Sequence, residues 1–172
     1  AFWGNSILNA TWKYKKGESI DSTLFPQPEV ANGSPFSHPM LLYNANIAPL
    51  HKLPIAGVIW YQGESNASRA MEYGSLLPAM IQDWREKWNH PKMPFLVVQL
   101  ANYRQEDKTP ANSNWAELRE SQMKATALEN VDIVTAIDIG EANDIHPYNK
   151  KEVGRRLALL AKHYNYGDIL KK

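Results

Sequence analysis

Two stretches of this chain place polar, proton-handling groups directly after apolar, strand-like sequence. The first is Gly57-Val58-Ile59-Trp60-Tyr61-Gln62-Gly63-Glu64-Ser65-Asn66-Ala67, and the second runs from Val131 to Ile139 and on through Gly140-Glu141 to Asn143-Asp144-Ile145-His146-Pro147. A histidine changes protonation near neutral pH, so it can take a proton and return it. A nearby carboxylate can hold its tautomer and stabilise the imidazolium, while a carboxamide or a backbone N–H can stabilise developing negative charge. The glycine that follows the first strand lets the chain turn and bring its N–H close to a ligand. Two strand ends carrying such groups imply one shared cleft.

The elements that must position these groups follow from periodicity. Ile55 to Tyr61 reads as a strand, and the spacing of Tyr73, Leu76, Leu77, Met80, Ile81, Trp84 and Trp88 predicts a helix over Ala70 to Trp88. Pro94 to Leu100 is almost continuously apolar, as in a strand buried on both faces. A loop from Ala101 to Asn112 leads to a helix capped by Ser113 or Asn114 and running towards Ala127; then come the strand Val131 to Ile139 and a helix from Lys150 to Tyr164 that buries Val153, Leu157, Leu160 and Ala161, with Gly167 beyond its end. This βαβαβα order predicts a parallel sheet covered by helices on both faces, with its site at the carboxyl ends of the strands. Trp84, Trp88 and Trp115 fall at helical spacings and read as core. Residues 1–39 read as an irregular segment rich in turn formers, in which Trp3 and Trp12 could stack on a glycan, and Met40 to Leu50 as a short helix.

At 172 residues the chain suits a single domain, 1–172, with an α/β core over 40–172. Apolar residues make up 44% and charged residues 22%, and 19 basic against 18 acidic side chains leave a net charge of +1, so neither nucleic acid nor a membrane surface is an expected partner. No segment approaches the roughly 20 apolar residues of a membrane span. The absence of cysteine excludes disulfides and thiol chemistry. No histidine pair has the spacing of a zinc helix site and no glycine-rich phosphate loop occurs, so no metal or nucleotide cofactor is expected. Because the chain begins at Ala1 and only three strands can be placed, an upstream part carrying further strands is expected, with that part or a second copy as a partner for the exposed sheet edge.

The block Trp60 to Ala67, with Asp83-Trp84-Arg85, Pro94 to Leu100, Trp115-Ala116-Glu117-Leu118-Arg119-Glu120 and Asp144-Ile145-His146-Pro147, resembles the sialate O-acetylesterase family over roughly residues 36–163. The resemblance implies an SGNH (GDSL-like) hydrolase with a flavodoxin-like three-layer α/β/α sandwich, which removes O-acetyl groups from sialic acid or a related sugar. It also implies export of the complete protein, to the periplasm or beyond the cell. The family's nucleophilic serine lies in a Gly-Gln-Ser-Asn motif, which these residues lack. The chain therefore resembles the C-terminal portion of such an esterase.

On that resemblance His146 is the expected general base. Asp144 is its carboxylate partner or, alternatively, a cap for the last helix; the family's usual aspartate, three residues before the histidine, is replaced by Asn143. Gln62 and Gly63 are expected in the oxyanion hole, with ordering of the turn as the alternative for Gln62. Glu64 and Asn66 are assigned to substrate hydroxyls or to loop ordering, and for Glu64 an ion pair with Arg69 or Arg85 is the favoured form. Ser65 is not expected to be the nucleophile, because Ala67 stands where a nucleophile elbow needs its final glycine. The other histidines, His38, His51, His90 and His163, are expected at the surface. Two functions fit these residues: a serine carbohydrate esterase to which this chain supplies the base and part of the oxyanion hole, and a non-catalytic carbohydrate-binding fragment with the same fold.

Overall fold

The computed structural model describes residues 40–106, 108–109 and 111–167. The expectations for residues 1–39, including Trp3, Trp12 and His38, lie outside the described residues. Within the described residues, 43–167 belong to one compact unit. Its elements are β1 (Val58–Trp60), α1 (Ala70–Lys87), β2 (Phe95–Val98), α2 (Asn114–Met123), β3 (Val131–Val134) and α3 (Lys150–Tyr166).

The three strands form a parallel sheet in the order β1-β2-β3. In the central strand all four residues of Phe-Leu-Val-Val are buried, because both faces are covered. Phe95 and Val97 pack with Tyr73, Leu77 and Ile81 of α1 and Leu118 of α2, whereas Leu96 and Val98 pack with Val134 and with Val153 and Leu157 of α3. This is the expected three-layer α/β/α arrangement. Helix α3 contacts β2 and β3, and on β1 the side chain of Ile59 is 61% exposed.

Helices α2 and α3 carry side-chain caps, whereas α1 starts without one. The Ser113 side chain accepts from the Ala116 N–H, the Asn149 side chain accepts from the Glu152 N–H, and Gly167 closes α3 in the left-handed region at φ 72°. After Met123 the second helix tightens into a 3₁₀ turn, Lys124–Ala127, so its expected reach holds although its winding changes. Met40 to Leu50 is helical in part, as a π-type segment, Tyr43–Ile47, followed by a 3₁₀ turn, Ala48–Lys52. His51 is half-buried rather than at the surface: its ring meets Trp88 edge-on at 4.5 Å and its Nε2 lies 3.2 Å from the Tyr43 hydroxyl.

All three strands are shorter than their apolar runs. Val58 pairs with Phe95, so Ile55 to Gly57 extend past the start of β2 and have no ladder to join. At the other end the Gln99 N–H bonds the Val134 carbonyl, and beyond it the Arg156 guanidinium takes the Thr135 carbonyl while the Ile139 N–H closes a turn on Ala136.

The side chain of Gln122, wholly buried on α2, substitutes for the sheet where the ladder stops. Its Oε1 accepts from the Leu100 N–H at 3.0 Å, and its Nε2 donates to the carbonyls of Val98 (3.3 Å) and Gln62 (3.2 Å). Replacing it with leucine keeps the bulk but takes this partner from the Leu100 N–H and the Val98 carbonyl, while the part-buried Gln62 carbonyl keeps its bond from Tyr73. Urea denaturation of Gln122→Leu is expected to show a loss of about 1–3 kcal/mol, the usual cost of orphaned buried polar groups; unchanged stability would show that those groups find other partners.

Candidate active site

The segment that follows β1 and the loop between β3 and α3 meet at a pocket of about 500 Å³, lined by Tyr61, Glu64, Ser65, Ile145, His146, Pro147 and Lys150. Strand β1 alternates, with Val58 and Trp60 packed in the α1/α2 layer and Tyr61 in the α3 layer. That alternation aims Tyr61 at the start of α3, where the Lys150 ammonium lies 4.8 Å from the centre of its ring. Burial, reinforced by the charges of Glu64 and then Glu141, raises the Tyr61 phenol above its ordinary pKa of 10.0, so it remains a hydroxyl donor.

His146 presents an 87% exposed ring, with Nδ1 3.6 Å from Oδ1 of Asp144. The same carboxylate oxygen accepts the His146 backbone N–H at 2.8 Å. This local turn points the acid towards the imidazole, and it answers the alternative role for Asp144, because Asn149 caps α3. Asn143, at the position the resemblance assigns to an aspartate, instead accepts from the Gln105 side chain at 3.2 Å.

Gln62 and Gly63 follow β1 but are not among the residues that line this pocket; Gln62 and Asn66 instead line a smaller hollow of about 170 Å³ with Trp60, Tyr73 and Leu77. The Gln62 carboxamide is held at both ends: its Nε2 donates to Oδ1 of Asn66 at 2.8 Å, and its Oε1 accepts from the Tyr73 hydroxyl at 3.0 Å. Tyr73 itself accepts from the Trp60 indole N–H. Gln62 and Asn66 therefore order this turn together. Gly63 is buried at φ 151°, and a Cβ there would lie 2.8 Å from the Leu118 side chain, so conformation and packing both require glycine.

The arginine pairing expected for Glu64 is not what folds. Arg69 lies 3.6 Å from Glu72, and Arg85 is buried with its guanidinium on the carbonyls of Met93 and Glu129, at the opposite ends of the strands. Glu64 lines the pocket instead. Glu141 contributes a buried Oε2 that, among the described residues, has no hydrogen-bond partner.

The loops that carry these groups are locked together. The Gly140 N–H donates to Oδ1 of Asn102 at 2.7 Å, and the Arg104 N–H donates to the Ala142 carbonyl at 2.8 Å. A Cβ on Gly140 would stand 2.3 Å from the Asn102 carbonyl oxygen. From the α3 side, Arg156 grips Asp138 through two hydrogen bonds of 2.6 and 2.7 Å and also bonds Glu152, which in turn binds Arg155.

Tyr61 and Lys150 were not singled out from the sequence. The alternation of β1 could have placed Tyr61 on the α3 side; no local spacing joins it to Lys150.

An open parallel sheet between helical layers, with a histidine and a carboxylate in the loop after one strand and polar groups after another, is the framework of an SGNH-type hydrolase. Residues 19–163 match the family described as carbohydrate esterase, sialic acid-specific acetylesterase, and the chain belongs to that family. The sialate O-acetylesterase of Mus musculus is 32% identical over 82% of this chain and 29% of its own length. That of Homo sapiens is 29% identical over 96% of this chain and 35% of its own. Among solved structures, a carbohydrate acetylesterase from Xanthomonas citri is 49% identical with a TM-score of 0.70, matched over 75% of this chain and 30% of that one. A protein from Arabidopsis thaliana is 27% identical with a TM-score of 0.50, over 64% of this chain and 44% of that one. The chain thus spans about a third of the length of the curated relatives it matches.

The charge cluster on the β3–α3 loop has a defined pH response. The Arg156 guanidinium holds the Asp138 carboxyl down at about 2 against an ordinary 3.8, and Arg155 with Arg156 holds Glu152 at about 2 against 4.5. Because both folded values are depressed, the stabilisation is complete above about pH 4.5 and is lost as pH falls through about 2. The melting temperature of Arg156→Met is expected to lie below that of the unsubstituted protein at pH 6 and to converge with it near pH 2. A gap that does not narrow on acidification would assign the effect of Arg156 to packing.

Proposed function

We propose that this chain supplies the proton-transfer side of a serine carbohydrate esterase that removes O-acetyl groups from sialic acid or a related acetylated sugar. The observation that carries the proposal is the exposed imidazole of His146 in the pocket between the segment after β1 and the β3–α3 loop, beside the Asp144 carboxylate. In the reaction a serine oxygen attacks the acetyl carbonyl while the imidazole takes its proton. The tetrahedral intermediate collapses, the imidazolium protonates the departing sugar oxygen, and water then releases acetate by the same steps in turn. Asp144 positions His146 and stabilises the imidazolium. Tyr61, kept as a hydroxyl donor, and the carboxylate of Glu64 suit the hydroxyls of a sugar.

The Gly-Gln-Ser-Asn motif that bears the family's nucleophile is absent from the 172 residues, so we assign attack to a serine of the longer protein. Ser65 has one observation in its favour, its place in the lining of the His146 pocket, but it sits on the 3₁₀ turn Glu64–Arg69 rather than on a strained elbow. For the oxyanion this reading assigns the Gly63 backbone N–H and the second amide hydrogen of Gln62, the first being held by Asn66, although neither residue lines the His146 pocket.

Acetate release from p-nitrophenyl acetate and from an O-acetylated sialic acid tests this, measured for the chain alone and for the chain joined to the serine-bearing segment of a relative. Activity is expected in the joined protein and to fall by about 10²–10⁴-fold in His146→Ala. Retention of most activity in that variant would remove His146 from the mechanism. Histidine-dependent activity of the chain alone, abolished in Ser65→Ala, would make Ser65 the nucleophile.

A second variant separates the two roles of Gln62. As an oxyanion donor it should cost about 10²–10³-fold in kcat when changed to alanine. A lowered melting temperature with kcat preserved would leave it as the residue that orders the turn.

A further inference from the structure

The loop after β2 builds a second hollow and is bonded to the loop that leads to His146. Arg104 holds φ 73°, a left-handed conformation uncommon for a residue with a side chain. Its N–H is spent on Ala142, in the loop that leads to His146, and the neighbouring Gln105 side chain reaches Asn143 of the same loop. The guanidinium lies 5.8 Å from the centre of the Tyr103 ring, and among the described residues no carboxylate forms an ion pair with it. Tyr103 packs against Trp115 with ring centres 5.4 Å apart, and Trp115 is fixed by its indole N–H on the Ala101 carbonyl at 2.7 Å. Trp115 was expected in the core. It does pack against the core, yet it also lines two adjoining hollows of about 620 and 360 Å³, of which Tyr103 and Arg104 form a shared wall.

The chemistry of this groove is mixed. Arg104 donates only, Glu117 accepts only when ionised, and Asn112 and Asn114 do both. An anionic ligand would meet the Glu117 carboxylate, and a purely apolar one would strand these groups. A pyranose meets all the conditions: an apolar C–H face for an aromatic ring and a rim of hydroxyls that donate and accept. We propose that the groove is a second saccharide subsite, which holds the neutral sugar residue linked to the acetylated one. The inference rests on the assignment of the acetylated sugar to the His146 pocket, and it makes the preferred substrate a glycan rather than a free monosaccharide.

The test is an amide-resolved NMR titration of this chain with three probes: O-acetylated N-acetylneuraminic acid, the same sugar linked to lactose, and lactose alone. The monosaccharide is expected to shift amides around His146 and Lys150. The lactose-linked ligand should also shift Tyr103, Gln105 and Ser113 and bind about tenfold tighter, the scale of one stacking contact with its hydrogen bonds. Arg104→Met and Asn114→Ala, both surface changes, should each reduce that gain while leaving monosaccharide affinity unchanged. Groove amides that stay still with the lactose-linked ligand, or a gain undiminished in both variants, would overturn the subsite. Failure of the monosaccharide to move the amides near His146 would instead overturn the pocket assignment, while the groove is still judged by its own amides.

Discussion

The buried carboxamide of Gln122 is the contact on which the site end of the sheet depends. Parallel strands of three and four residues run out of ladder just where their backbones must diverge to form a cleft. Diverging backbones leave polar groups that need partners from elsewhere. One side chain from α2 reaches three of them, tying the turn at Gln62 to the end of β2. Tyr73 of α1 holds the same turn through the Gln62 carbonyl and carboxamide. The polar groups after β1 are thus positioned by helices of the opposite layer, while those after β3 are positioned by α3. The pocket lies where these two systems of support meet.

Charge is distributed accordingly. At the end of the sheet away from the site, the buried guanidinium of Arg85 ties α1 to the chain entering β2 and β3, and burial lowers its pKa without threatening its charge. At the site end, the exposed network of Asp138, Glu152, Arg155 and Arg156 fixes the loop that leads to His146. Pairs this exposed contribute little individually. Here the forked geometry of Arg156 matters more than its energy, because it bonds the loop backbone, a loop carboxylate and the first turn of α3 together.

Much of this architecture was legible because it is local. The periodicity of α1 and α3, the cap residue Ser113, the closing Gly167 and the all-apolar run of β2 each state their structure within a few residues. The strand ends were not legible, since the length of a ladder is set by its partner: Ile55 looks like strand until Phe95 is seen to pair with Val58. The candidate site divides in the same way. His146 and Asp144 were named on the family resemblance, and the structure places them side by side, with Nδ1 3.6 Å from Oδ1. The approach of Lys150 to Tyr61, and the meeting of Tyr103 with Trp115, join residues that only the finished fold brings together. The pairing expected for Glu64 went astray because a buried arginine found carbonyls, which no charge count along the chain reveals.

The contact of Gly140 with Asn102 has a consequence for how this framework can diversify. Esterases of one fold acquire new substrates mainly by lengthening the loops at the carboxyl ends of their strands. Here two such loops touch backbone to backbone with no room for a single methyl group between them. Neither can grow at that point without displacing the other, so insertions that alter selectivity must enter farther out, on the distal arm of the loop beyond Arg104. A change at the inner rim therefore moves both loops, whereas a change farther out need move only one.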